Sequence, residues 1–280
     1  MPSLNVNGIE LYYEEYGHGD EVIISAQSHF EEECYQKDIA KMSDKYKVYL
    51  ITLRGYGKST HVYEDLGNRW LDIWADDIYQ FSRLIGIDQF IYTGVSHGAG
   101  VGWYLSLKYP ESIRAFISVV GVPHDRSGGD TSKQRLETIA GAGKANFEGP
   151  TFFMVPTEDP VRKKRQDEIR KNRIKSFREM SEEELRIHVR KPFPECKTNE
   201  ELAEKLSEVK VPTLLLCGCQ DDIISADISF LAAKSVPGAK SIFYQDHSHT
   251  LAAEARELVA NDVLQFLKGL RDRKTVENNR

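Results

Sequence analysis

The sequence predicts an α/β protein: a mostly parallel central sheet with helices on both faces, carrying an inserted helical segment. Three observations predict it. Short apolar runs with strand character alternate with helical stretches through the first 120 residues. The alternation then stops for about eighty residues of charge-dense helical sequence, a size ordinary for a small subdomain. It resumes near Val211 and continues to a long final helix.

Element by element, residues 4–16 and 21–25 carry apolar residues in β-like patterns, interrupted by Asn7-Gly8 and by Gly17-His18-Gly19-Asp20, which read as turns. They predict two antiparallel edge strands and a first buried strand. A helix over 31–46 follows, then a strand at 48–51, a helix over 70–85, a strand at 90–92, a helix from about His97, and a strand at 115–120. Between about Asp125 and Glu208 no strand signal occurs. Sequence such as 161–170 reads as helix, and Ser181 followed by Glu184 predicts a capping box. Strands at 211–217 and 241–244, with a helix after Ala226 between them, and a helix over 251–270 complete the pattern. The expected division is an α/β core of 1–124 and 209–270, a helical cap of 125–208, and a polar tail of 271–280 that frays.

Composition narrows the function classes. The chain has 280 residues and a net charge of −6, so neither an extended nucleic-acid footprint nor attraction to anionic membrane is expected. No basic segment followed by an apolar stretch opens the sequence, and no window is apolar enough to span a bilayer, so a cytoplasmic protein without membrane attachment is expected. The four cysteines are too scattered for a disulfide framework, and no cysteine or histidine pairs stand at metal-ligand spacing. Cys217-Gly218-Cys219 ends an apolar run and reads as buried strand. No metal or organic cofactor is implied.

The chemistry concentrates in Gly94-Val95-Ser96-His97-Gly98, a G-x-S-x-G between a predicted strand and a predicted helix. Such a turn forces the serine into a strained backbone conformation, and its glycines leave room for the neighbouring strand and helix. A serine hydroxyl needs a base, and the base needs a carboxylate to hold its tautomer. Downstream of the helical insert there are two candidates for each. Asp221 and Asp222 follow the strand at 211–217; His247 and His249 follow the strand at 241–244. In a parallel sheet, these loops open on the same edge as the Ser96 turn.

These segments resemble the α/β-hydrolase superfamily over nearly the whole chain except the insert. The likeness is carried by Leu53-Arg54-Gly55-Tyr56-Gly57-Lys58-Ser59, Ala75-Asp76-Asp77, the Ser96 turn, Gly218-Cys219-Gln220-Asp221, and His249 with Glu254 five residues on. The resemblance implies Ser96 as nucleophile, His249 as base and Asp221 as the orienting acid, in that chain order, with Asp222, His247 and Asp125 as the alternatives. It implies an oxyanion hole from the backbone N–H of His97 and of a residue near Ser28. There the superfamily usually shows His-Gly, and this chain has Ala26-Gln27-Ser28-His29, a departure that leaves the second donor's geometry open. Arg54 reads as a loop organiser, and His18, His61 and His188 as surface residues. Trp103 and Tyr104 read as core. The cluster Phe147, Phe152, Phe153, Met154 and Val155 serves either as a substrate pocket or as the insert's own core, and Arg162 to Arg165 read as a solvated helix face, with attraction of an anionic substrate as the alternative.

The expected activity is hydrolysis of a small-molecule carboxylic ester or lactone through an acyl-enzyme. Carbon–carbon bond hydrolysis by the same triad, cofactor-free dioxygenase-like chemistry and a hydrolase-derived ligand receptor are the alternatives. A serine in the Ser96 turn, rather than an aspartate, argues against the alkyl-enzyme chemistry of epoxide hydrolases and haloalkane dehalogenases.

Overall fold

A computed structural model describes residues 2–278, with side chains through residue 272. Eight strands form one sheet: β1 (Ser3–Val6), β2 (Ile9–Tyr16), β3 (Glu21–Gln27), β4 (Tyr46–Thr52), β5 (Phe90–Val95), β6 (Ile113–Val119), β7 (Thr213–Gly218) and β8 (Lys240–Tyr244). Their order is β1-β2-β4-β3-β5-β6-β7-β8. Only the pairings of β2 with β1 and β4 are antiparallel; β4 through β8 run parallel. Strand order therefore reverses at β3, whose two neighbours are reached in opposite directions. In open parallel sheets, ligands bind in the crevice outside the carboxyl ends at such a reversal.

The strands read as continuous apolar runs because both faces are covered. Successive side chains alternate between the layers. Ile24, Tyr92, Phe116 and Leu215 pack into one core with Trp70 and Trp74 of α2 (Trp70–Leu84) and Trp103 of α3 (His97–Lys108). Ile23, Ile91, Ile117 and Leu214 pack into the other with Ile39 of α1 (Tyr35–Met42) and Val259 and Val263 of α10 (Arg256–Asn278).

Between β6 and β7 the chain forms four helices and no strand: α4 (Lys133–Gly141), α5 (Pro160–Glu179), α6 (Glu182–Arg186) and α7 (Asn199–Ser207). Ser181 and Glu184 form the expected capping box at α6. The Glu184 carboxylate also accepts a bond from the Gly57 N–H at 2.6 Å, tying the insert to the loop after β4. After β7 come α8 (Ala226–Ser235) and, beyond β8, α9 (Leu251–Glu254).

Strand ends shift by a few residues, and two helices differ more from expectation. The helix expected over 31–46 is shortened at both ends. Cys34 is extended, and Tyr46 belongs to β4, where it pairs with Glu21 of β3. The expected final helix is broken at Ala255. The Glu254 carbonyl, which would accept from the next helical turn, instead takes a bond from Arg165 Nη1 of the insert at 2.9 Å. Finally, α10 runs through Asn278, beyond the expected end at residue 270, and Arg271 bonds the Tyr46 hydroxyl. The last two residues of the expected tail lie outside the described residues. Among the described residues no helix is long and apolar enough to cross a membrane.

Candidate active site

Ser96 stands between β5 and α3 at φ 51°, ψ −114°, a left-handed conformation that strains any residue but glycine. The glycines around it are there for space. A Cβ on Gly94 would lie 2.3 Å from the Gly98 backbone, and one on Gly98 would lie 2.4 Å from the Ala26 carbonyl oxygen. From below, Gly121 leaves room for Ala99: its Cβ would come 2.2 Å from that methyl and 3.0 Å from the Ser96 carbonyl. Backbone packing on three sides thus holds the serine up at the carboxyl edge.

The loops after β7 and β8 are stitched together by main-chain bonds. Cys219 N–H donates to the Tyr244 carbonyl (2.9 Å) and Gln220 N–H to the His247 carbonyl (3.0 Å). Gly218 permits the contact, since a Cβ there would lie 2.5 Å from the His247 carbonyl oxygen. On this frame, Asp221 is buried and its Oδ1 accepts from the N–H groups of Ile223 and Ile224, both at 2.9 Å. Its Oδ2 faces His249 Nδ1 at 2.9 Å, and His249 Nε2 faces Ser96 Oγ at 2.9 Å. A carboxylate only accepts, so Nδ1 carries the proton and Nε2 is left to accept from the serine hydroxyl.

The structure thus brings Ser96, His249 and Asp221 into one hydrogen-bonded chain. It does not bring in the alternatives. Asp222 is exposed. Asp125 is engaged elsewhere, accepting from Ser127 N–H and Asn199 Nδ2, bonds that hold its carboxyl down to about 2. His247 packs edge-on against Tyr244.

His97 opens α3, where free N–H groups and the helix dipole favour negative charge. Ser28, one residue beyond β3, lines the same cavity as Ser96 and His97. The Gln27 side chain packs against Gly98, and its Nε2 is buried without a partner. The imidazoles of His97 and His124 also line the cavity. Burial pulls both down to about 3; the nearby Arg135 adds to the effect on His97, and His249 to that on His124. Both rings are therefore neutral at ordinary pH.

The cavity above Ser96 has a volume of about 250 Å³. Core loops form its floor and the insert its roof. The insert contributes Arg135 and Thr138 of α4, Phe152, and Arg173, Phe177 and Met180 from the end of α5 and just beyond it. The aromatic cluster of the insert is split in two: Phe152 faces the cavity, Phe147 packs edge-on against Phe177, and Phe153 is largely exposed. Trp103 and Tyr104 are core: Trp103 Nε1 donates to the Gly121 carbonyl, and Tyr104 stacks on Phe193. Arg54 makes a two-pronged pair with buried Asp77, as a loop organiser would. His18 is exposed, but His61 and His188 are half-buried and bonded to the Gly57 carbonyl and Thr131 respectively.

A family model described as alpha/beta hydrolase fold matches residues 27–255. The chain belongs to this family. Among relatives of the α/β-hydrolase chain is a putative carbamate hydrolase, RutD of Azorhizobium caulinodans, 22% identical over 277 residues and covering 95% of this chain and 98% of the relative. The bifunctional esterase/perhydrolase DCH of Acinetobacter calcoaceticus is 21% identical, covering 94% of this chain and 97% of its own. Among solved structures, the enol-lactonase of Burkholderia xenovorans LB400 matches with a TM-score of 0.73 at 18% identity, over 95% of this chain and all (100%) of that one. At this identity the structural match speaks for the α/β-hydrolase fold alone.

Sequence reasoning missed Arg135 and Arg173 as cavity residues and assigned Arg162 and Arg165 to a solvated face. In fact Arg162 pairs with buried Glu254 at 3.0 Å and Arg165 with Glu257 at 2.7 Å. The signal was helical spacing. Residues 162, 166, 169, 173 and 177 share one face of α5, and that face, through Gln166 and Ile169, is the buried one.

Proposed function

We propose that the chain is a serine hydrolase that cleaves a carboxylic ester or lactone of a small molecule through an acyl-enzyme, with residues 125–208 acting as a cap over the site. The observation that carries the reading is the bonded chain from Ser96 through His249 to Asp221 at the floor of a cavity. His249 Nε2 takes the proton of Ser96 Oγ as the oxygen attacks the substrate carbonyl, and Asp221 stabilises the imidazolium that forms. The tetrahedral oxyanion is received by the N–H groups of His97 and Ser28. His249 then protonates the leaving alkoxide, and water, activated by the same imidazole, releases the acid and restores Ser96. The esterase/perhydrolase among the relatives supports an ester as the substrate group.

A fluorophosphonate probe tests this, because it reacts at useful rates only with a serine activated by a base and an oxyanion hole. The expected result is a single adduct at Ser96, absent in Ser96→Ala and slowed by on the order of 10³-fold or more in His249→Ala and Asp221→Ala. Folded wild-type protein that gives no Ser96 adduct would overturn the reading.

A further inference from the structure

Arg173 is the odd cation of helix α5. Three and two turns before it, Arg162 and Arg165 point to the same side and end in ion pairs with Glu254 and Glu257. Arg173 continues that face over the cavity, yet among the described residues its guanidinium makes no hydrogen bond and no ion pair, and its Nη1 is buried without a partner. It lies over the Phe152 ring, whose centroid is 4.1 Å from the guanidinium carbon. Stacking on an aromatic face fixes the plane of a guanidinium and leaves its N–H edge free for an in-plane acceptor. Burial draws its pKa below the ordinary value, outweighing the more distant carboxylates of Glu31 and Glu254.

The rest of the cavity's charge points the same way. Arg135 is a second guanidinium on the wall; it donates to the Leu185 carbonyl at 2.9 Å, while its Nε is buried without a partner. The imidazoles of His97 and His124 are neutral. Glu31 is the one carboxylate on the wall, and with buried Glu254 it acts on Arg173 electrostatically without reaching it. Two guanidinium groups thus face one carboxylate in a cavity of about 250 Å³ that also holds Ser96. Leaving a buried guanidinium unpaired is costly, and a planar two-oxygen anion matches its donor fork.

We infer that Arg173 binds a free carboxylate on the substrate, so that the preferred substrate is an ester or lactone bearing a second, unesterified acid group. The ester half of this statement rests on the serine-hydrolase reading; the carboxylate half does not. Arg173 is a specificity residue that holds the end of the substrate remote from the scissile bond.

The experiment separates the two halves. Binding is measured first in the Ser96→Ala protein, where no turnover is needed, using monomethyl adipate against dimethyl adipate, its masked counterpart. The free acid is expected to raise the melting temperature and the diester not, and Arg173→Gln is expected to abolish the difference. Turnover is then compared on mono-4-nitrophenyl adipate and its methyl-masked form. The ratio of kcat/KM, acid over masked, is expected to fall about 10- to 100-fold in Arg173→Gln through KM, with Arg173→Lys, which keeps the charge and loses the fork, intermediate. Equal binding of acid and masked ligand by the Ser96→Ala protein would overturn the proposal even if Arg173→Gln failed to fold. So would a ratio unmoved by Arg173→Gln. Acid-selective binding that needs Arg173, without any ester turnover or Ser96 adduct, would uphold the subsite and sink the hydrolase reading instead.

Discussion

The floor and the roof of the cavity are held by different physics. The floor is main chain against main chain: the Ser96 turn is set by glycines whose replacement would drive a Cβ into backbone atoms, and the acid and histidine loops are joined by peptide hydrogen bonds. The roof is held through side chains. Helix α5 is pinned by Arg162 and Gln166 to the buried Glu254 carboxylate and by Arg165 to Glu257, while α6 hangs on Glu184 and Gly57. Backbone packing has no slack, whereas ion pairs and aromatic contacts reach their partners through flexible stems. On the proposed reading, the chemistry sits on the backbone-packed floor, and the side-chain-held roof bounds the substrate space.

The contrast is sharpest when one substitution is made in each region. In Gly98→Ala the new methyl meets the Ala26 carbonyl oxygen at 2.4 Å; the Gln27 side chain beside it can move aside, but that backbone atom cannot. In Gly141→Ala it meets the Phe147 ring at 2.2 Å, and a ring can rotate. Denaturant unfolding should show a loss of about 3 kcal/mol or more for Gly98→Ala, with loss of Ser96 labelling, and about 1 kcal/mol for Gly141→Ala with labelling retained. Equal losses would mean that floor and roof are equally stiff.

Glu254 is where the two regions meet, because its carboxylate bonds Arg162, Gln166 and the Thr250 hydroxyl one residue from His249. Glu254→Gln removes the only full charge opposing Arg162 at that contact and should cost about 3 kcal/mol, the usual scale for breaking a buried pair. Limited proteolysis should then cut within residues 125–208 before the core. Cleavage that begins in the core would reverse the assignment of roof and floor.

The smallest expected effect comes from acid. His97 and His124 titrate at about 3 in the folded protein, below the ordinary histidine value of 6.5. The unfolded chain therefore takes up protons first as the pH falls. Their contribution is fully present above about 6.5 and is lost progressively down to about 3. At pH 5.5 each histidine should have removed roughly 1 kcal/mol. His124→Asn should flatten that slope in melts run between pH 7 and pH 5.5, and an unchanged slope would place the acid sensitivity elsewhere.

What the sequence by itself determined is local in origin. The alternation of short apolar runs with helices was enough for a parallel sheet covered on both faces, and the strand-free stretch after β6 was enough for an inserted helical segment, because both follow from periodicity over a few residues. The Ser96 turn was legible for the same reason, its glycines being close in sequence to the serine they make room for. Choices that depend on distant residues were legible only in part: the resemblance named Asp221 and His249 but left their neighbours as alternatives. Asp221 and Asp222 are adjacent in the chain and share a loop, and only the tertiary structure turns one toward His249 and the other to solvent. Arg162, Arg165 and Arg173 look alike in a run of charge. Which two find carboxylates and which one is left over the cavity was decided by where α5 lands on the core, because an ion pair depends on a partner some ninety residues away in sequence.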